Sequence, residues 1–175
     1  SMEELTELTE GRQGPGGSDR APSPAAELAE LKGRLAQERP DRWESLPDIP
    51  LYMDQVVSYL ARQLISFGEG DSLTPAMINN YIKDGLLARA NGKKYDKEHL
   101  AYLTAISAMK QVLSVREMRT LIAIGQEGRN SKRLYDFFWQ TLDEALNEPA
   151  ARLDETTSDH DLPKLVLALA LRSYV

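Results

Sequence analysis

A chain of 175 residues with 42% hydrophobic and 27% charged side chains can bury the core of one domain, with room for helical additions. No cysteine occurs, which excludes disulfides, thiolate metal sites and cysteine nucleophiles and suits a reducing cytoplasm. The longest apolar run, residues 165–171, is far shorter than the roughly 20 residues that span a bilayer, and no signal peptide is recognisable. We therefore expect a cytoplasmic protein without membrane contact.

The net charge of −6 is distributed unevenly along the chain. Residues 74–135 hold 11 basic and 5 acidic side chains, a net charge of +6, whereas residues 1–48 and 136–175 each carry a net charge of −5. Because local charge decides what a surface attracts, the basic centre favours a polyanionic partner. Clustering of charge on an ordinary solvated face is the alternative.

The chain begins with a segment that has little apolar surface to bury. Residues 11–24 contain four glycines and three prolines among polar residues, so a flexible tail is predicted over residues 1–24. An N-terminal helix and linker are expected over residues 25–42, because three leucines follow at helical spacing and Pro40 ends the pattern. The three are Leu28, Leu31 and Leu35.

The first strongly amphipathic helix is predicted over about residues 51–67. Pro50 stands near its first turn, and six apolar side chains fall on one face of the helix. They are Met53, Val56, Val57, Leu60, Leu64 and Phe67. Gly68 and Gly70 end the pattern.

A short capped helix and a β-hairpin follow. Thr74 provides a hydroxyl cap and Pro75 stands at the first helical position, while Gly85 is expected in the left-handed conformation that ends a helix. Asn91-Gly92 between two short segments is the strongest local hairpin signal, because both residues tolerate positive φ. We therefore predict a two-stranded hairpin over residues 88–95.

Two helices are predicted directly after the hairpin. Asp96 caps the first, which extends to about Leu113, and Ser114 with Glu117 forms a capping box for the second. The first helix places Leu100, Leu103, Ile106 and Met109 on its inward face, and the second helix carries Met118, Leu121 and Ile122.

Residues 126–175 are predicted to form C-terminal helices that pack on the core or make a dimer contact. Residues 131–148 place six apolar side chains at helical spacing, and Pro149 should end this helix. The six are Leu134, Phe137, Phe138, Leu142, Ala145 and Leu146. A last helix begins at Asp161 and is apolar all round, so we expect it to be buried within the chain or in a homodimer.

The block from Thr74 to Ile122 resembles a MerR-type DNA-binding domain. In that pattern a capped short helix with an aromatic residue precedes Gly-Leu-Leu, a basic wing, a tyrosine and a leucine-rich helix pair. The matching residues are Thr74, Tyr81, Gly85, Leu86, Leu87, Arg89, Lys93, Tyr95, Leu100, Leu103, Ser114, Glu117 and Leu121. The resemblance implies a winged helix-turn-helix that reads duplex DNA.

A second set of residues is similar to a bacterial family catalogued only as domain-of-unknown-function family 1836. These residues are Trp43, Leu46, Pro47, the stretch 49–56, the stretch 77–83 and Lys93-Lys94-Tyr95. The similarity would cover residues 43–150 and implies a MerR-like helix-turn-helix without an established activity. The predicted fold class is therefore all-α, a helical domain with a MerR-like winged helix-turn-helix over residues 43–125 and a short β-hairpin wing.

Duplex DNA is the expected partner, in transcription control. If Ile78, Tyr81 and Ile82 face the core, the other face of the 75–84 helix projects outward. Asparagine can pair with adenine, lysine can meet guanine or phosphate, and basic side chains of the hairpin can contact the flanking backbone. The candidate DNA-binding residues are Asn79, Asn80, Lys83, Arg89, Lys93 and Lys94.

The alternative function is a helical protein-interaction module that keeps the fold without binding DNA. The acidic total charge favours it, and so does the absence of an arginine at Asn79-Asn80-Tyr81, where MerR-type helices usually carry Arg-Tyr-Tyr. A continuous basic face formed with Arg116 and Arg119 would favour DNA, whereas acidic side chains covering that face would favour interaction.

Neither an enzyme nor a cofactor or metal site is expected. His99 and His160 are the only histidines and lie far apart in sequence, without Cys/His spacing typical of a metal site. Asp159 and Asp161 beside His160 are better explained by a helix cap, and Asp96 to His99 by a helix start with acids at the positive end of its dipole. No glycine-rich phosphate loop occurs.

Overall fold

The computed structural model describes residues 23–63 and 72–155. Within these residues the chain is mostly helical, with six α-helices, one short 3₁₀ turn at Trp43–Ser45 and a two-stranded antiparallel sheet. The helices are α1 (Pro24–Gln37), α2 (Met53–Leu60), α3 (Pro75–Lys83), α4 (Lys97–Met109), α5 (Val115–Gln126) and α6 (Ser131–Glu155). The strands are β1 (Leu51–Tyr52) and β2 (Lys94–Tyr95).

Helix α4 is the centre of the core. Leu100, Leu103 and Ile106 are fully buried, as the sequence predicts, and α2, α3 and α5 surround them. Each neighbouring helix contributes a fully buried side chain, namely Val56, Ile78 and Met118. Asp96 starts α4 as predicted, because its carboxylate accepts the His99 backbone N–H at 3.1 Å.

Helices α1 and α6 pack against each other outside this core. Leu35 is buried against Leu28, Leu31 and Leu146, so the predicted leucine stripe of α1 contacts α6. The Arg39 guanidinium adds an ion pair of 2.8 Å to Asp143. Helix α6 in turn contacts α4 and α5.

The segment that joins α1 to β1 is held on α6 by hydrogen bonds. The Trp139 indole N–H donates to the Pro40 carbonyl at 2.8 Å, and the Tyr135 hydroxyl donates to the Asp41 carbonyl. Leu46 follows on the same segment and is buried with Tyr135 and Ala101. Long-range contacts therefore fix a stretch that has little regular structure of its own.

The helix predicted over residues 51–67 is shorter in the structure. Leu51 and Tyr52 form a strand instead, because they pair with Tyr95 and Lys94 of β2. From Arg62 the chain changes to i→i−3 hydrogen bonds, and the Gln63 side chain accepts the Asp41 backbone N–H at 2.8 Å. The predicted helical positions Leu64 and Phe67 lie outside the described residues.

The prediction that Pro149 ends the 131–148 helix is wrong. Helix α6 continues to Glu155 through the proline, which removes one helical hydrogen bond to the Ala145 carbonyl without stopping the helix. Helix α5 extends past Gly125 and ends at Gln126. The last predicted helix, from Asp161, lies outside the described residues.

Candidate nucleic-acid interface

Helix α3 presents one polar face to solvent. The Thr74 hydroxyl caps it by accepting the Met77 N–H at 3.2 Å, and Pro75 is its first residue. Ile78 is fully buried and Tyr81 is 6% exposed, so the opposite face of α3 is fixed in the core. Three of the candidate DNA-binding residues are exposed on the outer face, Asn79, Asn80 and Lys83.

A Schellman motif ends α3 and turns the chain toward the hairpin. Gly85 has a φ of +76°, the Leu86 N–H donates to the Tyr81 carbonyl at 2.8 Å, and the Gly85 N–H donates to the Ile82 carbonyl at 3.1 Å. Leu86 and Leu87 then enter the core beside Tyr81. The prediction of a left-handed glycine at this helix end is confirmed.

The hairpin turns one residue later than the Asn-Gly signal predicts. Asn91 and Lys94 exchange two backbone hydrogen bonds of 2.9 and 3.1 Å, so the central turn residues are Gly92 and Lys93. Gly92 has a φ of +63°, and no non-glycine residue in the described chain has positive φ. A glycine at the first central position is what a type II′ turn requires.

The second strand of the predicted hairpin has a different main partner. Lys94 and Tyr95 pair with Tyr52 and Leu51, whereas residues 88–90 form no strand. The predicted two-stranded hairpin over residues 88–95 is therefore present only as a turn closed by the Asn91–Lys94 bridge, and these residues are called the hairpin below. Pairing with β1 supplies the ladder that the short hairpin lacks.

Tyr52 is a candidate interface residue that the sequence did not indicate. Its side chain is 49% exposed, and the Lys94 ammonium lies 5.1 Å from the centre of its ring. The weak signal for it was the strand preference of tyrosine itself, at a position immediately before a helical pattern. Only strand pairing brings this tyrosine beside the hairpin.

His99 holds the base of the hairpin on α4. The side chain is 5% exposed, and its Nε2 lies 3.2 Å from the Ala88 carbonyl and 3.0 Å from the Arg89 carbonyl. Because two carbonyl acceptors face Nε2, that nitrogen donates, while Nδ1 lies 3.0 Å from the Asp96 backbone nitrogen and 2.8 Å from the Asp96 carboxylate. The imidazole therefore fixes the backbone at Ala88 and Arg89, and with it the position from which the Arg89 side chain extends.

The basic candidate residues carry no ion pair within the described ranges. Lys83, Arg89, Lys93 and Lys94 are all exposed. The acidic N-terminal segment pairs elsewhere, with Asp48 at 3.1 Å from Lys97 and Glu44 at 3.3 Å from Lys132. Hydrogen bonds to Asp136 and Glu44 raise the pKa of the Lys132 ammonium, which stays charged.

Arg116 and Arg119 lie at the other end of α4 from the hairpin. They belong to the first turns of α5, which follows the C-terminal end of α4, whereas β2 immediately precedes the N-terminal end. Thirteen helical residues separate the two ends, about 20 Å at 1.5 Å per residue. The hairpin and α3 therefore form the candidate interface without these two arginines.

A polar cleft of about 480 Å³ lies behind the hairpin. Residues 85–89 border it on one side, and Glu98, His99 and Gln126 border it on the other. Across residues 23–63 and 72–155, no cluster of three or more potential metal ligands occurs. Nor does any helix in those ranges combine the length and apolar character that membrane crossing demands.

Comparison with known proteins places the chain in one family. Residues 41–138, more than half of the chain, match the model of the family described as domain of unknown function (DUF1836). This stretch includes α3, the hairpin, His99, and Tyr135 with its hydrogen bond to the Asp41 carbonyl. No curated protein and no solved structure shows a significant match. The chain therefore belongs to the DUF1836 family.

Proposed function

We propose that this protein binds duplex DNA through a winged helix-turn-helix of the MerR type, with a role in transcription control. The observation that carries the proposal is the contrast between the two faces of α3. Its inner face is fixed by Ile78 and Tyr81, and its outer face exposes Asn79, Asn80 and Lys83 beside a basic hairpin. A rigidly mounted polar helix of this kind fits the major groove.

The side chains divide into two chemical roles. Asn79 and Asn80 can each donate to and accept from adenine, and Lys83 can reach guanine or a phosphate. Arg89, Lys93 and Lys94 would contact flanking phosphates, which position the helix without reading sequence. Tyr52, packed against Lys94, adds a hydroxyl that can donate to the same backbone.

The test is a salt titration of binding to a random duplex pool. In the double variant Lys93→Glu/Lys94→Glu, affinity should fall for all sequences, and the log–log salt slope should decrease by about 1 for each lost phosphate contact. The matched control is Arg116→Glu/Arg119→Glu, which changes the net charge equally at the other end of α4. The control should keep the wild-type slope.

Two results would argue against this interface. If the hairpin variant keeps the wild-type slope, the hairpin does not contact phosphate. If both double variants lose the same slope, the effect follows from total charge rather than from the hairpin.

A second candidate function is protein interaction, which one specific observation favours. Three apolar side chains of α5 and α6 are strongly exposed, Phe137 at 61%, Ile124 at 57% and Leu121 at 49%. Leu121 and Phe137 line the same groove, and exposed apolar side chains that lie close together mark contact surfaces more often than scattered ones do. Absence of duplex binding at low salt, in a folded protein, would favour this function over the first.

A further inference from the structure

An apolar groove of about 570 Å³ lies between α4, α5 and α6. Its floor is formed by side chains from all three helices, among them Ala105, Met109, Ile122, Leu134, Phe138 and Leu142. Phe137 and Leu121 stand at its edge with about half or more of their surface exposed. The sequence predicts Phe137 as a core residue, yet its side chain is 61% exposed, and the Arg129 guanidinium lies over its ring at 5.6 Å from the ring centre.

The groove has the shape that a helix needs. Its lining along α6 extends from Ser131 to Ala145, about 20 Å at 1.5 Å per residue. On the α4 side the lining includes Ala105 and Ala108, whose small side chains leave space for a helix to approach. The lining surface is almost entirely apolar, so an occupant must be apolar over most of its own surface.

We propose that residues 162–171 of the same chain occupy this groove. The segment contains seven consecutive apolar residues, Leu165 to Leu171, the longest apolar run of the sequence. It follows α6, which itself forms one wall of the groove. An all-round apolar segment and an uncovered apolar groove therefore belong to neighbouring parts of one chain.

The connecting residues are long enough for this return. Helix α6 ends at Glu155, about 15 Å beyond Ala145 at 1.5 Å per residue. Residues 156–161 can span up to about 20 Å when extended, enough to bring Leu162 back to the level of Ala145. In a helical conformation, the ten residues 162–171 would cover about 15 Å, most of the length of the groove.

The tether favours the chain's own segment over a second copy. A short linker gives the segment an effective concentration in the millimolar range at the groove, whereas a second chain is present at micromolar concentration in ordinary experiments. The inference is independent of the proposed function, because α3 and the hairpin do not line the groove.

The absence of native cysteines allows a direct test on the full chain. One cysteine is introduced in the groove, Ala105→Cys or Ala108→Cys, and one in the segment, Ala168→Cys or Ala170→Cys. The control pairs each segment cysteine with Ala123→Cys, an exposed α5 position that does not line the groove. At least one groove pair should form a disulfide within the chain ten times faster than the control pairs.

The products separate the possible occupants. Equal rates for groove and control positions would overturn the proposal, since a segment that is not docked reaches both. Disulfides that form between chains, seen as covalent dimers, would assign the groove to a second copy and also overturn it.

A second measurement, dye binding, tests the proposal without the cysteine variants, in case one of them fails to fold. In the unmodified chain the filled groove should not bind an apolar fluorescent dye, whereas Leu167→Asp/Leu169→Asp should raise dye fluorescence several-fold. Strong dye fluorescence from the wild-type chain would show an open groove and refute the proposal.

Discussion

Asn79 and His99 are both polar, yet the structure gives them opposite roles. Asn79 is exposed on α3, whereas His99 is buried and hydrogen-bonded to the hairpin backbone. Under the proposed function, substitutions at the two positions should therefore change different properties, DNA site preference at Asn79 and stability at His99.

If α3 reads duplex DNA as proposed, Asn79→Ala should relax the preference of the protein at one base pair. Loss of an asparagine–adenine contact reduces discrimination by about 1–3 kcal/mol, whereas an exposed polar substitution changes stability by only about 0.5 kcal/mol. Binding selections on wild type and variant measure the first quantity, and thermal unfolding measures the second. Gln37→Ala, an exposed position on α1, is the control. A large loss of stability with unaltered site preference would make Asn79 structural.

His99→Phe should destabilise the fold and loosen the hairpin. The substitution leaves the Ala88 and Arg89 carbonyls without their donor and should lower the free energy of unfolding by about 1–3 kcal/mol. Denaturant unfolding measures this change, and hydrogen exchange should increase at residues 91 and 94, whose amides close the hairpin.

Tyr102→Phe is the matched control on the same helix. It removes only an exposed hydrogen bond from Gln126, which should change the free energy of unfolding by less than about 0.5 kcal/mol. Unchanged exchange at the hairpin in the His99 variant would show that β1 pairing alone holds it.

At the scale of elements, backbone conformation separates two glycines, one at a helix end and one inside a helix. Gly85 ends α3 with φ of +76°, whereas Gly33 lies inside α1, where a Cβ would have open space around it. An alanine is strained at the first position and favourable at the second.

Gly85→Ala should destabilise the protein by about 1–2 kcal/mol, because an L-residue is disfavoured in the left-handed region. Gly33→Ala should stabilise it by about 0.5–1 kcal/mol through helix propensity. Chemical denaturation of the two variants checks both signs. Destabilisation of equal size at both positions would contradict this assignment of the α3 terminus.

At the scale of the whole molecule, Tyr135 joins α6 to the segment before β1. Burial, together with the charges of Asp41 and Asp136, raises the pKa of the Tyr135 phenol above its ordinary value of 10.0. Burial also raises the pKa of Tyr59, whose hydroxyl donates to the Asp41 carboxylate at 2.7 Å. Both phenols therefore stay protonated in the fold after the unfolded chain has begun to lose its phenolic protons.

Stability should fall with rising pH above about 10, since the unfolded state then binds fewer protons than the folded state. Below that pH the contribution of Tyr135 to stability is complete. Above it, each tyrosine with a raised pKa lowers the free energy of unfolding by about 1.4 kcal/mol per pH unit until its folded pKa is reached. Tyr135→Phe should flatten this dependence, as measured by denaturant unfolding across the alkaline range. Parallel curves for wild type and variant would contradict the assignment.

The sequence alone determined the features that depend on neighbouring residues. The caps at Thr74, Asp96 and Ser114 are correct, as is the glycine end of α3, because each involves atoms within about four residues. The buried and exposed faces of α3 also follow from helical periodicity. The family assignment follows from sequence as well.

Tertiary structure decided where partners distant in sequence meet. The pairing of β1 with β2 joins residues 51 and 95, and it converts the start of a predicted helix into a strand. It also places Tyr52 beside the candidate interface, which no local pattern requires. Similarly, the exposure of Phe137 depends on what covers α6, since helical spacing identifies an apolar face but not its partner. Local sequence fixes backbone caps and side-chain faces, whereas the choice of long-range partner depends on packing across the whole chain.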